Sequence, residues 1–131
     1  MLFRSPLAAG AALAGQAVPG GRRVINLQAD GSAMYTVQAL WTQARERLPV
    51  TTILLNNRSY NILLGEYRGV GATPGPTALG MLDLGRPDID WVRLAGSLGV
   101  EAATAHTLEA CADLMSASLR QPGPFLIDLR I

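Results

Sequence analysis

The chain has 131 residues, which is enough for one domain with a sizeable core. Apolar residues make up 49% of it and aromatic residues only 5%, so aliphatic side chains must fill that core. The net charge of +1 argues against strong attraction to nucleic acid or to a membrane surface, and the single cysteine, Cys111, excludes an internal disulfide and favours a reducing cytoplasm.

The chain opens on a predicted helix and a predicted strand. Small residues at 5–17 favour a helix that can sit close to a sheet, with Ser5 as N-cap and Pro6 at the first helical position. A signal peptide is the alternative interpretation of this apolar start. Residues 18–21 predict a turn, and residues 23–28 predict the first strand.

The clearest helical pattern covers residues 35–48. Apolar side chains recur there at helical spacing, which predicts one buried face, while Gln43 falls on the opposite, polar face. The predicted buried face comprises Val37, Leu40, Trp41, Ala44 and Leu48. Residues 50–55 are almost wholly apolar and therefore predict a strand covered on both faces.

A segment rich in glycine and proline separates the two halves of the chain. Residues 61–67 before it predict a short helix. Residues 69–87 sustain no period, although residues 77–82 can form a helical turn. So long a stretch without regular structure inside a compact domain indicates a functional loop or lid.

Two capped helices and two strands complete the chain. The first helix, capped by Asp90, is predicted to bury Trp91, Ala95 and Leu98. The second, capped by Thr107, is predicted to bury Leu108, Cys111, Ala112, Met115 and Leu119. The strands are predicted at residues 100–103 and 125–131.

The order of these elements predicts the fold class. Strands alternate with helices, which is typical of an α/β fold with three layers: a parallel sheet and helices on both of its faces. Only four strands are visible and a helix comes first, so we expect the sheet to be truncated at its N-terminal side. We assign residues 6–131 to a single, incomplete domain.

Polar turns follow the first two predicted strands. Ligands of open parallel sheets bind beyond the carboxyl ends of the strands, and Asp30 and Asn57 both fall there. A carboxylate, an amide oxygen and a turn carbonyl are hard ligands that suit Mg²⁺. Gly31 allows backbone to approach a phosphate, Ser32 offers a hydroxyl, and the start of the following helix offers free N–H groups. The pattern predicts a site for a metal-bound diphosphate.

The alternative is that both turns are purely structural. Asp-Gly and Asn-Asn are common turn sequences, and each alone is more often structural than functional. Their joint occurrence at consecutive strand ends favours the metal-diphosphate interpretation.

The same residues carry a resemblance to a known family. Ala29-Asp30-Gly31, a spacer of 24 residues and Asn56-Asn57 resemble the signature of thiamine diphosphate enzymes, which is Gly-Asp-Gly, a similar spacer and Asn-Asn. Residues 32–41 and 57–61 resemble the acetolactate synthase and benzoylformate decarboxylase group. The resemblance continues through residues 83–91 and 122–127 and leaves residues 1–5 outside.

The resemblance implies roles for particular residues. Asp30, Asn57 and the backbone carbonyl of Ser59 would ligate magnesium. The residues that would contact thiamine diphosphate are Ala29, Gly31, Ser32, Ala33 and Tyr60. Ala29 departs from the family because a glycine is usual there, and Arg58 and Asn61 replace glycines often seen nearby.

The resemblance also implies an activity and partners. The substrate would be a 2-oxo acid, with acetolactate synthase-like carboligation as the first choice and simple decarboxylation as the second. A non-catalytic module that binds a magnesium-diphosphate ligand is the alternative from a different class. The glutamate that activates the cofactor would come from another domain, usually on a neighbouring subunit. We therefore expect a cytoplasmic homo-oligomer that binds neither nucleic acid nor membrane, no catalytic residue in this chain, and no activity from it alone.

Overall fold

The structure, a computed structural model, describes residues 4–18 and 20–131. The expectations for residues 1–3 and for Pro19 in the first turn lie outside these described residues. The described helices and strands are α1 (Arg4–Gln16), β1 (Val24–Ala29), α2 (Asp30–Ala33), α3 (Ala39–Arg45), β2 (Val50–Asn56), α4 (Asn61–Gly69), α5 (Pro76–Leu82), α6 (Trp91–Ser97), β3 (Glu101–Ala105), α7 (Leu108–Ser118) and β4 (Phe125–Arg130). A 3₁₀ turn, Met34–Thr36, joins α2 to α3.

The strands form one parallel sheet in the order β1-β2-β4-β3. The predicted α/β class with a parallel sheet is confirmed. In register, Ala29 lies opposite Leu55, and Asn56 lies opposite Arg130. The carboxyl ends of β1, β2 and β4 therefore meet at one edge of the sheet.

Helices cover the two faces of the sheet unequally. On one face, the small residues of α1 pack on Leu48 and Val50, and Trp91 of α6 packs with Leu40 and Leu54. On the other face, α7 buries Cys111 against β3 and β4. None of the helices in the described ranges has the length and hydropathy that crossing a bilayer requires.

The predicted helix at residues 35–48 is wrong in its extent, and its predicted faces are wrong at Trp41 and Gln43, whereas Val37, Leu40, Ala44 and Leu48 are buried or packed on the core as predicted. The 3₁₀ turn has about three residues per turn, so it shifts the helical phase before α3 begins. Trp41 is consequently 50% exposed, with the guanidinium of Arg45 over its ring at 4.9 Å. Gln43 is buried instead, and its Nε2 donates to the carbonyl oxygen of Ser5 at 3.2 Å. Ser5 is accordingly not an N-cap but a buried residue inside α1.

The predicted face of α7 is also displaced. Leu108, Ala112 and Leu119 are exposed, whereas Cys111 is buried and Met115 packs beside it, as predicted. Ser118 is buried instead, and its hydroxyl shares a hydrogen bond of 2.8 Å with that of Thr51. The N-caps Asp90 and Thr107 are confirmed, since their side chains accept from the N–H groups of Arg93 and Ala110.

Candidate cofactor site

The site lies where β1 and β2 end side by side. The two strands are parallel neighbours in register, so the turns that follow them meet. This register explains why Asp30 and the Asn56-Asn57 turn lie side by side, as the sequence predicted. Ala29, just before Asp30, has φ −86° and ψ 149°, an extended conformation that requires no glycine.

Among the predicted site residues, Asp30 alone carries a carboxylate. It is 1% exposed, and its Oδ1 accepts a hydrogen bond of 2.8 Å from the N–H of Gly31. Its Oδ2 is buried and finds no hydrogen-bond partner among the described residues. Burial raises the pKa of Asp30, and the backbone N–H groups of Gly31, Arg58 and Ser59 offset part of that rise. A buried anionic oxygen in this state lacks a positive partner.

The second turn is held in an unusual backbone conformation. Asn57 Oδ1 accepts from the N–H of Ser59 at 3.0 Å, and Arg58 between them has φ 56°. That left-handed conformation favours glycine, which gives a physical reason for the glycines often seen nearby in the family that the sequence resembles. Asn56 Oδ1 supports it by accepting from the N–H of Arg58 at 3.2 Å.

The segment after α5 clamps this turn from outside. The N–H of Tyr60 donates to the carbonyl oxygen of Leu82 at 2.9 Å. The N–H of Leu84 donates to the carbonyl oxygen of Arg58 at 2.8 Å. The prediction that residues 69–87 lack regular structure is therefore wrong. The predicted helical turn at 77–82 is a helix, α5, and the residues after it pair with the turn because its backbone groups need partners.

Gly31 is required by a close approach of Tyr60. A Cβ on Gly31 would lie 2.7 Å from the Tyr60 ring, nearer than side chains approach one another. Tyr35 meets the same ring edge-on, with centroids 6.5 Å apart. Burial, with smaller contributions from Tyr35 and Asp30, raises the pKa of the Tyr60 hydroxyl, which stays protonated at neutral pH and can donate.

Most of the predicted site residues line one cleft of about 330 Å³. The lining residues are Arg4, Ala29, Gly31, Ser32, Tyr35, Asn57, Ser59, Tyr60, Asn61, Ile62 and Leu63. Two predicted residues do not line it: Asp30 lies behind the lining, and Ala33 is buried in the core with Leu40 and Leu54.

Sequence reasoning missed five lining residues: Arg4, Tyr35, Asn61, Ile62 and Leu63. A weak signal existed for Tyr35, an aromatic residue shortly after the Asp-Gly-Ser turn at the same sheet edge. Arg4 had none, because it reaches the cleft only through the packing of α1, where its Nη1 donates to the carbonyl of Leu27 at 2.8 Å.

The donor set at this cleft fits a hard cation held with a phosphorylated ligand. Carboxylate, amide and carbonyl oxygens are the ligands Mg²⁺ prefers, and few protein ligands leave room for phosphate oxygens. Within residues 4–18 and 20–131, no group of three His, Cys, Asp or Glu side chains is placed to hold a metal. A cation held by Asp30 would therefore need neutral oxygens, such as those of the second turn, as its other protein ligands.

Comparison with known proteins identifies the family. Residues 1–129 match the family model described as thiamine pyrophosphate enzyme, C-terminal TPP binding domain. The chain belongs to this family. The matched range takes in residues 1–5, which we expected to lie outside the resemblance.

Individual relatives agree with this family. The chain is 48% identical over 126 residues to a putative acetolactate synthase large subunit, IlvX, of Mycobacterium tuberculosis, covering 95% of this chain and 24% of that protein. It is 35% identical to benzoylformate decarboxylase of Pseudomonas aeruginosa, covering 97% and 22% of the two chains. A solved 4-hydroxybenzoylformate decarboxylase of Rhodococcus jostii superposes with a TM-score of 0.83 at 38% identity, covering 99% and 23%.

These comparisons confirm the predicted resemblance to the acetolactate synthase and benzoylformate decarboxylase group. They also show that the chain spans about a quarter of the length of the relatives it matches.

Proposed function

We propose that this chain is the magnesium- and thiamine diphosphate-binding domain of an enzyme that acts on 2-oxo acids, with acetolactate synthase-like carboligation as its reaction. One observation carries the proposal: the buried Oδ2 of Asp30 has no hydrogen-bond partner among the described residues, and the Asp30 carboxylate lies close to the backbone of the second turn at Arg58 and Ser59. A divalent cation there would neutralise the carboxylate and link it to a diphosphate.

The metal ligands in this proposal are Asp30, the amide oxygen of Asn57 and the carbonyl oxygen of Ser59. Asn57 Oδ1 has two lone pairs, so it can accept from the N–H of Ser59 and still face a cation. Three protein oxygens leave about three of the six magnesium positions for phosphate oxygens and water.

The remaining site residues hold the cofactor. Gly31 brings backbone to the cleft surface, Ser32 and Tyr60 offer hydroxyls, and Ala29 forms part of the wall. Ser32 Oγ donates to the Ala29 carbonyl at 3.1 Å and would have to turn to reach a phosphate. Ala33 acts from behind the wall, where its packing on Leu40 and Leu54 fixes α2.

The cofactor supplies the carbanion chemistry through which a 2-oxo acid loses carbon dioxide. Other parts of the enzyme supply the activating glutamate and orient the reactive ring. Orientation alone can contribute roughly 7–11 kcal/mol to catalysis, so the isolated chain is proposed to be inactive. The intact enzyme is proposed to be a cytoplasmic homo-oligomer whose neighbouring subunit or missing domains complete the site.

Decarboxylation without carboligation is the second candidate. The relative that is 48% identical is named as a putative acetolactate synthase subunit, which favours carboligation. The solved structure at 38% identity is named as a decarboxylase, which favours the second reaction. The non-catalytic diphosphate-binding module is the remaining alternative.

Calorimetric titration with thiamine diphosphate tests the proposal. The wild-type chain should bind it only when Mg²⁺ is present, and Asp30→Ala should abolish that binding because it removes the only charged ligand. Asp113→Ala is the matched control, since it removes the same charge from an exposed position on α7. Unchanged affinity in Asp30→Ala, or binding without a divalent cation, would refute the assignment.

A further inference from the structure

A chain of hydrogen bonds supports the second turn from inside the sheet. Arg130 Nε donates to Asp128 Oδ2 at 2.9 Å, and Asn56 Nδ2 donates to Asp128 Oδ1 at 2.8 Å. Asn56 Oδ1 then accepts from the N–H of Arg58 at 3.2 Å. Asp128 and Asn56 are both buried, so water does not compete with these bonds.

The direction of this chain of bonds follows from the chemistry of its members. A carboxylate only accepts and a guanidinium only donates, so Asp128 must receive a donor on each side. The amide of Asn56 therefore turns its NH₂ group toward Asp128, and its oxygen is left to face Arg58. Asp128 thereby determines which atom of Asn56 meets the turn.

The atom that Asn56 presents matters because of where Arg58 lies. Arg58 occupies a left-handed conformation between Asn57 and Ser59. A non-glycine residue keeps such a conformation only when its surroundings impose it. Asn56 holds its N–H, and the N–H of Leu84 holds its carbonyl.

We propose that Asp128 is a positioning residue that fixes Asn57 and Ser59 in ligating orientation by orienting Asn56, a role that rests on the proposed function. Asp128 itself does not line the cleft. Arg130 extends the same chain outward, since its Nη1 contacts both carboxylate oxygens of Asp88 at 3.2 and 2.9 Å. Hydrogen bonds thus join the ends of β2 and β4 to Asp88, before α6, around the second turn, which carries the proposed ligands Asn57 and Ser59.

The test uses Asp128→Asn in the 131-residue chain. An amide at this position cannot accept from both Asn56 and Arg130, so one contact becomes donor against donor. Magnesium-dependent binding of thiamine diphosphate should weaken about 10- to 100-fold, the range typical of residues that orient metal ligands. In the ligand-free chain, hydrogen exchange at the amides of Arg58, Tyr60 and Leu84 should speed up.

An exchange of the two side chains supplies the rescue. In the double variant Asn56→Asp with Asp128→Asn, the carboxylate at position 56 accepts from Arg58 N–H and from the new amide, whose oxygen accepts from Arg130 Nε. All three hydrogen bonds are restored, so binding and exchange should return to within a few-fold of wild type. If Asp128 affected only global stability, folded Asp128→Asn protein would bind with wild-type affinity. The exchanged pair would then have no lost affinity to restore.

Thr52→Val is the matched control. It removes a buried hydrogen bond of the same sheet, which Asn26 Nδ2 donates to Thr52 Oγ1 at 3.2 Å, and leaves the turn untouched. Its melting temperature should fall while its affinity and the exchange at Arg58 stay at wild-type values. If Asp128→Asn does not fold, Asn56→Ala replaces it, because that variant keeps the Asp128–Arg130 ion pair and breaks only the link to the turn.

The two readouts separate the proposals. A wild-type chain that binds no thiamine diphosphate refutes the proposed function, and the exchange rates at Arg58, Tyr60 and Leu84 still decide the positioning role. Unchanged exchange at these amides in Asp128→Asn, or in Asn56→Ala where that variant replaces it, overturns the positioning role. Weakened binding that the exchanged pair fails to restore overturns it as well.

Discussion

Asp30 lowers the stability of the metal-free fold and is also the charged ligand of the proposed site. The folded chain buries its carboxylate and leaves Oδ2 without a partner among the described residues, and burial raises its pKa. A group whose pKa is raised by folding favours the folded state at low pH, and that advantage is lost as the pH rises through the folded pKa. Without a cation, ionisation of Asp30 therefore destabilises the fold at any pH above its folded pKa.

Asp30→Asn should consequently stabilise the metal-free chain. The amide oxygen can keep the hydrogen bond from Gly31 N–H while the buried charge disappears, so unfolding at pH 7 should cost on the order of 1 kcal/mol more. Urea unfolding of both chains across pH measures this, and the difference between them isolates Asp30 from other acidic groups. The difference should vanish below the ordinary Asp pKa of 3.8, and one that is constant with pH would contradict the explanation.

At the scale of elements, α4 and α5 are the weakly held part of the fold. No residue of α4 is buried, and only Leu82 of α5 is. Ile62, Val70 and Met81 expose most of their surfaces. Local opening of helices that bury so little should require little free energy, whereas Leu82 and Leu84, at and just after the end of α5, are hydrogen-bonded to Tyr60 and Arg58 of the second turn.

Hydrogen exchange should divide this region sharply. Amides of α4 and of residues 77–81 should exchange about 100-fold faster or more than those of β2, since β2 lies inside the sheet. The amides of Tyr60 and Leu84 should stay protected because they donate to backbone carbonyls. Protection of α4 equal to that of β2 would rule out a lid formed by these two helices.

The elements also show what the sequence can and cannot predict. β2 was predictable because its apolar run is nearly continuous, and the adjacency of Asp30 and Asn57 followed from consecutive parallel strands. The buried side of α3 was not predictable, because Gln43 finds its partner in Ser5, 38 residues away. Asp128 also escaped sequence analysis, since its contact with Asn56 exists only once β4 lies beside β2.

At the scale of the whole molecule, β1 forms an uncovered border. Ile25 and Leu27 point to the face that α7 covers elsewhere, and they remain 45% and 48% exposed. The edge of β1 that faces away from β2 also has no neighbouring strand among the described residues, although the Arg4 side chain donates a hydrogen bond to the Leu27 carbonyl there. An apolar edge strand of this kind is a template for pairing between chains.

The isolated chain should therefore self-associate through β1. Analytical ultracentrifugation should show a mass that rises with concentration, and the double variant Ile25→Lys with Leu27→Lys should lower it because charges oppose edge pairing. Lysines in place of the exposed Leu108 and Leu119 of α7 provide a control with the same added charge. Association that only the α7 variant reduces would place the interface elsewhere.

The position of β4 has a consequence for synthesis on the ribosome. Among the described strands, β4 comes last in the chain, yet it lies between β2 and β3. Asp128 follows Asn56 by 72 residues, which at about 5–20 residues per second is a delay of about 4–14 s. During that interval the nascent chain already carries every proposed metal ligand but lacks the strand that steadies them. The proposed cofactor site therefore cannot reach its final structure before β4 has been synthesised.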